Sequence, residues 1–430
     1  MKKAVALILG LVIFISSAFS QEVSERKELA IFALSYSGWS IPEEALGLVD
    51  QSIQNVFISL NRFNVIGTQY RLKAADVGAF IDEIKKIKSE NIEIPESVRL
   101  GEQTFTEADF NKLTGSFIIV VPVMSYYDIQ ADDSGDYAAE IETSFTFINV
   151  AEGRAMASFQ IKTSGTDDTP KSAVKAAVEG IPLQLSYEIR KIPEFQLKTG
   201  VIDFIGRDVV LELGQNMGVK LGDEYRIVTE QVLSSGRTIK KNNGLLVVKE
   251  VYDEVSTAQV FYSSRKPQIG DQLTEVPRLG FETPVYVNYI ASKNPVVTLG
   301  FRQIVSRGFF SFRPFIGAEV PIGANNDFLV LFPVNVYAGG ELNWYWGRLH
   351  LTPSVDVAMG LLIPIIESEY TDDIVIYSSV GGHARFTASY MLSDNMKVFA
   401  EGGYAAMLAV TDLFESYSGL FVGAGITLKY

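Results

Sequence analysis

Apolar residues recur along this chain with two different periods, and the change from one to the other divides it. Between residues 22 and 195 both periods occur. "ELAIFALSY" (Glu28 to Tyr36) reads as a strand. Leu46, Val49, Ile53, Val56, Phe57 and Leu60 follow at helical spacing, behind the capping-box sequence "SIPE" with Ser40 as N-cap and Glu43 three residues on. Arg62 to Gly67 reads as a short buried strand, and Val77, Phe80, Ile81, Ile84 and Ile87 mark a second helix. Gly115 to Gln130 is a long apolar strand. Tyr137–Val150 and Gly153–Gly165 alternate as a hairpin around Glu152-Gly153. A last helix follows, capped by Thr169, with Pro170 as its first residue and a kink at Pro182. Residues 196–277 change to short strands separated by glycine turns. Gly-Asp corners at Gly222-Asp223 and Gly270-Asp271 suggest a small β-barrel.

From Pro284 onward helical periodicity disappears. Eight alternating segments follow, 284–292, 295–304, 308–321, 328–345, 347–363, 373–391, 395–410 and 417–430. The connections after the second, fourth and sixth are short. Those after the third, fifth and seventh ("GANND", "IESEYTDD", "TDLFESYS") are longer and polar. Short turns on one rim and long loops on the other are the signature of an outer-membrane barrel. With a strand period of two, Arg302, Arg313, Glu319, Glu341, Asp356, Arg385, Glu401 and Lys429 all fall on the polar face. The opposite face is almost free of charge. A charge facing lipid at mid-depth would cost a few kcal/mol. Trp344, Tyr345, Trp346, Tyr390 and Tyr430 near the short turns, and Phe328, Tyr370, Phe414 and Tyr417 near the loops, read as two interfacial girdles. Eight strands enclose just enough space for side chains, so the inward charges are expected to pair and plug the barrel.

The first residues agree with export. Lys2 and Lys3 precede the uncharged apolar run Ala4–Ile15, and Ala18-Phe19-Ser20 is a small-x-small cleavage site, so residues 1–20 read as a signal peptide. There is no Cys in the 430 residues, so neither disulfides nor a lipid-bearing cysteine is available. No apolar run of helix-spanning length follows residue 20, so entry into a membrane has to be by strands. The net charge of −14 argues against a nucleic-acid partner and against an anionic membrane surface.

The order of elements in residues 22–195, with "SLNRFNVIG" after the first helix and "LTGSFIIVVPV" opening the later sheet, resembles the domain of the curli-secretion lipoprotein and the N-terminal domain of the Tol-system propeller protein. That resemblance implies a periplasmic module serving envelope assembly. The chain departs from the curli channel in lacking the lipidated Cys. Residues 196–277 are similar in arrangement to the C-terminal domain of the flagellar assembly protein T. The last strand, with Ile426, Leu428 and Tyr430, resembles the C-terminal aromatic signal by which barrel-insertion machinery recognises its clients.

Little catalytic chemistry is available. His350 and His383 are the two histidines, both on the polar face of the barrel segments. A histidine there could act as a base with Asp356 and a serine such as Ser354, but membership of a polar lumen network is the preferred reading. Gly423-Ala-Gly425 is explained by close packing in a narrow barrel. The acidic stretches "ADDSGDY" (131–137) and "ESEYTDD" (367–373) lack EF-hand spacing. The sequence thus predicts a multidomain α+β protein: signal peptide 1–20, periplasmic α/β domain 21–195, small β-domain 196–278 and an eight-stranded antiparallel transmembrane barrel 279–430. The expected role is non-enzymatic, without cofactor or metal: a plugged barrel in outer-membrane lipid presenting periplasmic domains to a protein partner. A small enzyme with its site in the barrel and an oligomeric secretion channel are the alternatives.

Overall fold

The computed structural model describes residues 22–36, 41–67, 70–90, 97–100, 103–115, 117–131, 135–323, 331–364 and 376–430. The expected signal peptide, Ser40, Phe328, Tyr370 and the acidic stretch 367–373 lie outside them, as does part of 131–137. The chain divides into two compact units, residues 24–197 with 215–218, and residues 198–214 with 219–430.

The first unit is built on one sheet. Its strands are β1 (Lys27–Ile31), β2 (Ser35–Tyr36), β3 (Phe63–Gly67), β6 (Ile118–Ala131), β7 (Tyr137–Asn149) and β8 (Arg154–Asp167), in the order β3-β1-β6-β7-β8 with β2 alongside β6. The pairings of β1 are parallel, and β6, β7 and β8 form an antiparallel meander. Alternation along β1 sends Leu29 and Ile31 to one face, against the helices Glu43–Ser59, Pro170–Glu179 and Ile181–Lys191. Ala30 and Phe32 go to the other face, against the helices Val77–Glu90 and Glu107–Gly115. The first helix begins at Glu43 after Pro42, which provides no side-chain cap. Thr169 does cap as its position suggests: its Oγ1 accepts from the Ser172 N–H at 3.2 Å, with Pro170 at the first turn. The expected kink at Pro182 is a full break, with one helix ending at Glu179, Gly180 between, and a second starting at Ile181. Residues 97–115 hold a short hairpin, β4 (Ser97–Leu100) and β5 (Gln103–Thr106), and the helix Glu107–Gly115, which the apolar period does not single out.

The second unit opens with a closed six-stranded barrel. Its strands are β9 (Lys198–Ile205), β10 (Asp208–Leu211), β11 (Glu224–Val232), β12 (Thr238–Val251), β13 (Ser256–Ser263) and β14 (Gln272–Val276). Both Gly-Asp corners are the same device. Gly222 and Gly270 sit at positive φ (78° and 95°), and the following aspartate accepts a backbone N–H three residues upstream, from Lys220 and Gln268, each at 2.8 Å.

The remainder is an eight-stranded antiparallel barrel. It comprises β15 (Phe281–Ala291), β16 (Val296–Val305), β17 (Phe312–Ile322), β18 (Leu331–Leu342) continued as β19 (Trp344–Trp346), β20 (Leu349–Pro364), β21 (Ile376–Ser393), β22 (Met396–Ala409) and β23 (Tyr417–Lys429). β23 closes it against β15 in an unbroken register from Glu282↔Lys429 to Ala291↔Leu420, and β18 pairs with β20 around the other side. The first strand therefore starts before Pro284, at Phe281. The third starts at Phe312, because residues 306–311 form a docking loop. The fourth is interrupted at Asn343.

One backbone approach in the first unit is tight enough to test. A methyl at Gly165 of β8 would lie 2.3 Å from the Ala177 backbone N, so Gly165→Ala must push the helix Pro170–Glu179 off the sheet. Thermal unfolding should register a loss of about 1–3 kcal/mol. A methyl at Gly47, in the helix Glu43–Ser59, would meet nothing within 4 Å. Gly47→Ala should instead stabilise by about 0.5–1 kcal/mol.

Candidate functional site

The alternation of the barrel strands places every polar and charged side chain named above inside. Eight strands leave no room there for bulk water, so each charge is solvated by another side chain. The contacts form three tiers. Nearest the long-loop rim, Glu319 accepts from the Tyr286 hydroxyl at 2.9 Å and from Asn335 at 3.2 Å, and His383 Nε2 lies 3.2 Å from it. His383 Nδ1 is 2.7 Å from Asp356, which also receives the Arg385 guanidinium. In the middle, Arg302 bonds Glu401 at 2.7 Å, and Asn288 and Thr387 donate to the same carboxylate at 3.0 and 3.2 Å. Nearest the short-turn rim, Arg313 joins Glu341 and lies 3.1 Å from Glu282, which takes the Lys397 ammonium at 2.7 Å.

Of the eight charges singled out from the sequence, seven contact one another in three groups: Arg302 with Glu401, Arg313 with Glu341, and Glu319 with Asp356 and Arg385. Lys429 reaches instead to Glu224 of the small barrel. The network also includes Glu282 and Lys397, which sequence reasoning does not single out. Both share the parity of inward residues, Glu282 with Tyr286 and Lys397 with Glu401, and lie just beyond the expected strand start or close to it. Ile426 and Tyr430 of the closing strand point outward, and Leu428 is half-buried.

The aromatic girdles need correction. Trp344, Trp346, Tyr390 and Tyr430 are exposed on the barrel's outer face near the short turns. Tyr345 is inward and buried, because it alternates with the two tryptophans. Phe414 and Tyr417 are also buried, and the Tyr417 hydroxyl accepts from Asn335 inside the barrel at 2.8 Å. The His–Asp–Ser combination is not assembled. His383 meets Asp356, whereas Ser354 Oγ and both ring nitrogens of His350 have no hydrogen-bond partner among the described residues. His350 is wedged against Phe261 and Tyr345, with ring centroids 4.7 Å from each. A methyl at Gly423 would overlap Asn288 Oδ1, and one at Gly425 would lie 2.1 Å from the Val285 carbonyl, so both glycines give the neighbouring strand its approach.

The short-turn rim is closed by the small barrel. Phe261, Leu245, Val247 and Val276 from below form one apolar cluster with Phe310, Tyr345 and Met391 from above. Charged contacts surround it. Glu224 holds Lys429 and Arg278, and Arg278 also bonds Asn395 and the Asp394 carbonyl at 2.7 Å each. Asp394 accepts from Arg226 at 2.8 Å and from the Tyr262 hydroxyl. Arg307 bonds Asp223 at 2.6 Å, and the Gly308 N–H donates to the Leu221 carbonyl at 2.7 Å. Burial raises the Glu224 carboxyl, but Lys429 and Arg278 outweigh it and hold it below the ordinary range. Asp394 is likewise pushed up by burial and pulled lower overall by Tyr262 and Arg226. Burial and Asp394 push Tyr262 up to about 12, so it stays a donor at neutral pH.

No protein-family model and no curated protein matches the sequence. Among solved structures, the chain is similar to Neisserial surface protein A, at 11% identity over 35% of this chain and 96% of that one (TM-score 0.27). It is also similar to the lipoprotein GNA1162 of Neisseria meningitidis, at 8% identity over 37% and 98% (TM-score 0.22), and to OmpT, an outer-membrane protein of Vibrio cholerae, at 9% over 73% and 95% (TM-score 0.16). Likenesses of this strength carry no argument about function, which rests on the geometry.

Glu401→Gln leaves Arg302 buried without its counter-charge and should cost about 3–5 kcal/mol of barrel stability, read as a lower unfolding temperature in detergent. A second expectation concerns pH. Glu224 and Asp394 both have depressed folded values. Their contribution is therefore complete above the ordinary carboxylate value of about 4 and is lost as pH falls through the folded values. Thermal unfolding of the small barrel should be flat from neutral pH to about pH 5 and fall below about pH 4, and Glu224→Gln should lessen that fall.

Proposed function

We propose that this chain is an outer-membrane protein whose closed barrel is an anchor, holding the small barrel and the α/β unit on the periplasmic side for a protein partner in envelope assembly. The observation that carries the reading is the division of charge between the two faces of the barrel. At the outward positions of β15 to β23 no charged residue occurs among the described residues. Those positions hold exposed Val287, Leu299, Phe301, Ile316, Val355, Val357, Leu420 and Val422. A continuous apolar belt of this kind far exceeds the patches soluble proteins expose, and a lipid-facing barrel wall requires it. The exposed Trp344, Trp346, Tyr390 and Tyr430 supply an interfacial girdle at the short-turn rim. Short turns face the periplasm in such barrels, which puts the small barrel there too.

The filled lumen makes the barrel non-conducting. Its histidines serve the internal network and the floor rather than a reaction, so the protein is read as non-enzymatic, with no cofactor. The α/β unit, by its resemblance to the curli-secretion and Tol-propeller modules, is the part offered to the periplasmic partner. Barrel-insertion machinery is a second partner, engaging the closing strand.

The protein is expected to fractionate with the outer membrane, to need detergent for extraction and to migrate differently on gels before and after heating. Recovery as a soluble protein without detergent would sink the anchor. Planar-bilayer recordings should show no conductance steps; steady ion conductance would replace the anchor with a channel.

A further inference from the structure

The outer wall of the barrel is not uniformly convex. Phe312, Gly340, Leu342, Val355, Phe386 and Gly402 line an apolar groove of about 630 Å³ across β17 to β22, toward the short-turn rim. It exists because small residues stand at outward positions there. Gly402 has no side chain, Ala384 has a methyl, and the Phe312 ring lies over Gly340, where a Cβ would come within 2.4 Å of it. Phe312 also borders a second hollow, of about 330 Å³. Where the small barrel meets the rim, that hollow is lined by Lys249, Glu250 and Ser311 together with Leu221, Phe309 and Phe310. An apolar groove in the wall and a hollow of mixed lining at the rim therefore share one aromatic residue.

On the anchor reading, on which this inference rests, the groove faces hydrocarbon and the hollow lies at the periplasmic headgroup level. We propose that the two together form a binding site for one glycerophospholipid of the periplasmic leaflet. An acyl chain would lie in the groove, and the phosphate would sit in the hollow against Lys249 and Ser311. Lys249 is committed to Asp208 through one hydrogen bond at 2.8 Å, and an ammonium has three donors. The order of chemistry, an amine, a hydroxyl and the Glu250 carboxylate at the rim and then aromatic and aliphatic surface toward mid-membrane, is that of an amphiphile with a zwitterionic head toward the periplasm, its phosphate on Lys249 and Ser311 and its ammonium toward Glu250. A second copy of the chain would meet no charged complement in the groove, and a lipid of the opposite leaflet would present its head at the far rim.

The test uses the full-length protein extracted from membranes, exchanged through detergent and examined by native mass spectrometry with extraction of retained lipid. A Cβ at Gly402 meets nothing closer than the Phe421 carbonyl at 3.3 Å, so Gly402→Leu fills the groove from outside without entering the lumen. Ala384→Leu does the same from the neighbouring strand. Wild type should keep one phospholipid. Each filling variant should retain at least about tenfold less, since several buried methylenes are lost. Lys249→Gln should reduce retention while leaving the groove intact. In refolding with vesicles of phosphatidylethanolamine and phosphatidylglycerol, wild type should acquire the same single lipid. Unchanged retention in variants that keep the heat-dependent gel shift would overturn the site. So would recovery of lipid A in place of a glycerophospholipid, or of a dimer that the filling variants abolish. Loss of outer-membrane fractionation in wild type would instead remove the anchor reading itself.

Discussion

The constraint on which the barrel depends is that an eight-stranded sheet closed on itself has no room inside for bulk water. Every charge turned inward must be met by another across a space a few side chains wide. Arg302 with Glu401, Arg313 with Glu341 and Glu282, and Arg385 with Asp356 and Glu319 are three solutions to that one problem. Such pairs are costly to break singly and add little net stability over apolar packing. Their value here is that they let the outer face be wholly apolar while the strands keep a strict alternation, which fixes the register of all eight.

The same constraint explains the small barrel. The lowest tier of the lumen has a cation, Lys429, whose counter-charge is supplied by Glu224 from outside the strands. The floor is thereby part of the lumen's electrostatics as well as its cover. The apolar cluster of Phe261, Phe310, Tyr345 and Met391 beside these contacts keeps them in a low-dielectric setting that strengthens them. The loop at residues 306–311 is longer than a barrel turn requires, because its backbone and Arg307 bind Leu221 and Asp223.

Features that the sequence leaves illegible have identifiable causes. The helix Glu107–Gly115 and the hairpin before it are short, and their few apolar residues do not establish a period. Nearness to a strand end suggests a girdle position for Tyr345, Phe414 and Tyr417, but facing is decided by parity and by how the loop folds back. Glu282 and Lys397 sit at strand ends, where alternation has least context. His350 and His383 have the same residue type and the same face, yet one is paired with carboxylates and the other lies among aromatic rings. That difference comes from which strands and which domain happen to stand opposite.

By itself the sequence determined the division into α/β, small-β and barrel segments, the eight strands, and which side of each strand is polar. Those follow from periodicity, turn residues and the exclusion of charge from one face, all local properties. The tertiary structure decided who pairs with whom, that Lys429 belongs to the floor, that the short-turn rim is closed, and that the outer wall carries a groove. Those depend on residues far apart in the chain being brought to one height of a closed sheet, and strand tilt and register set that height, which no local pattern records.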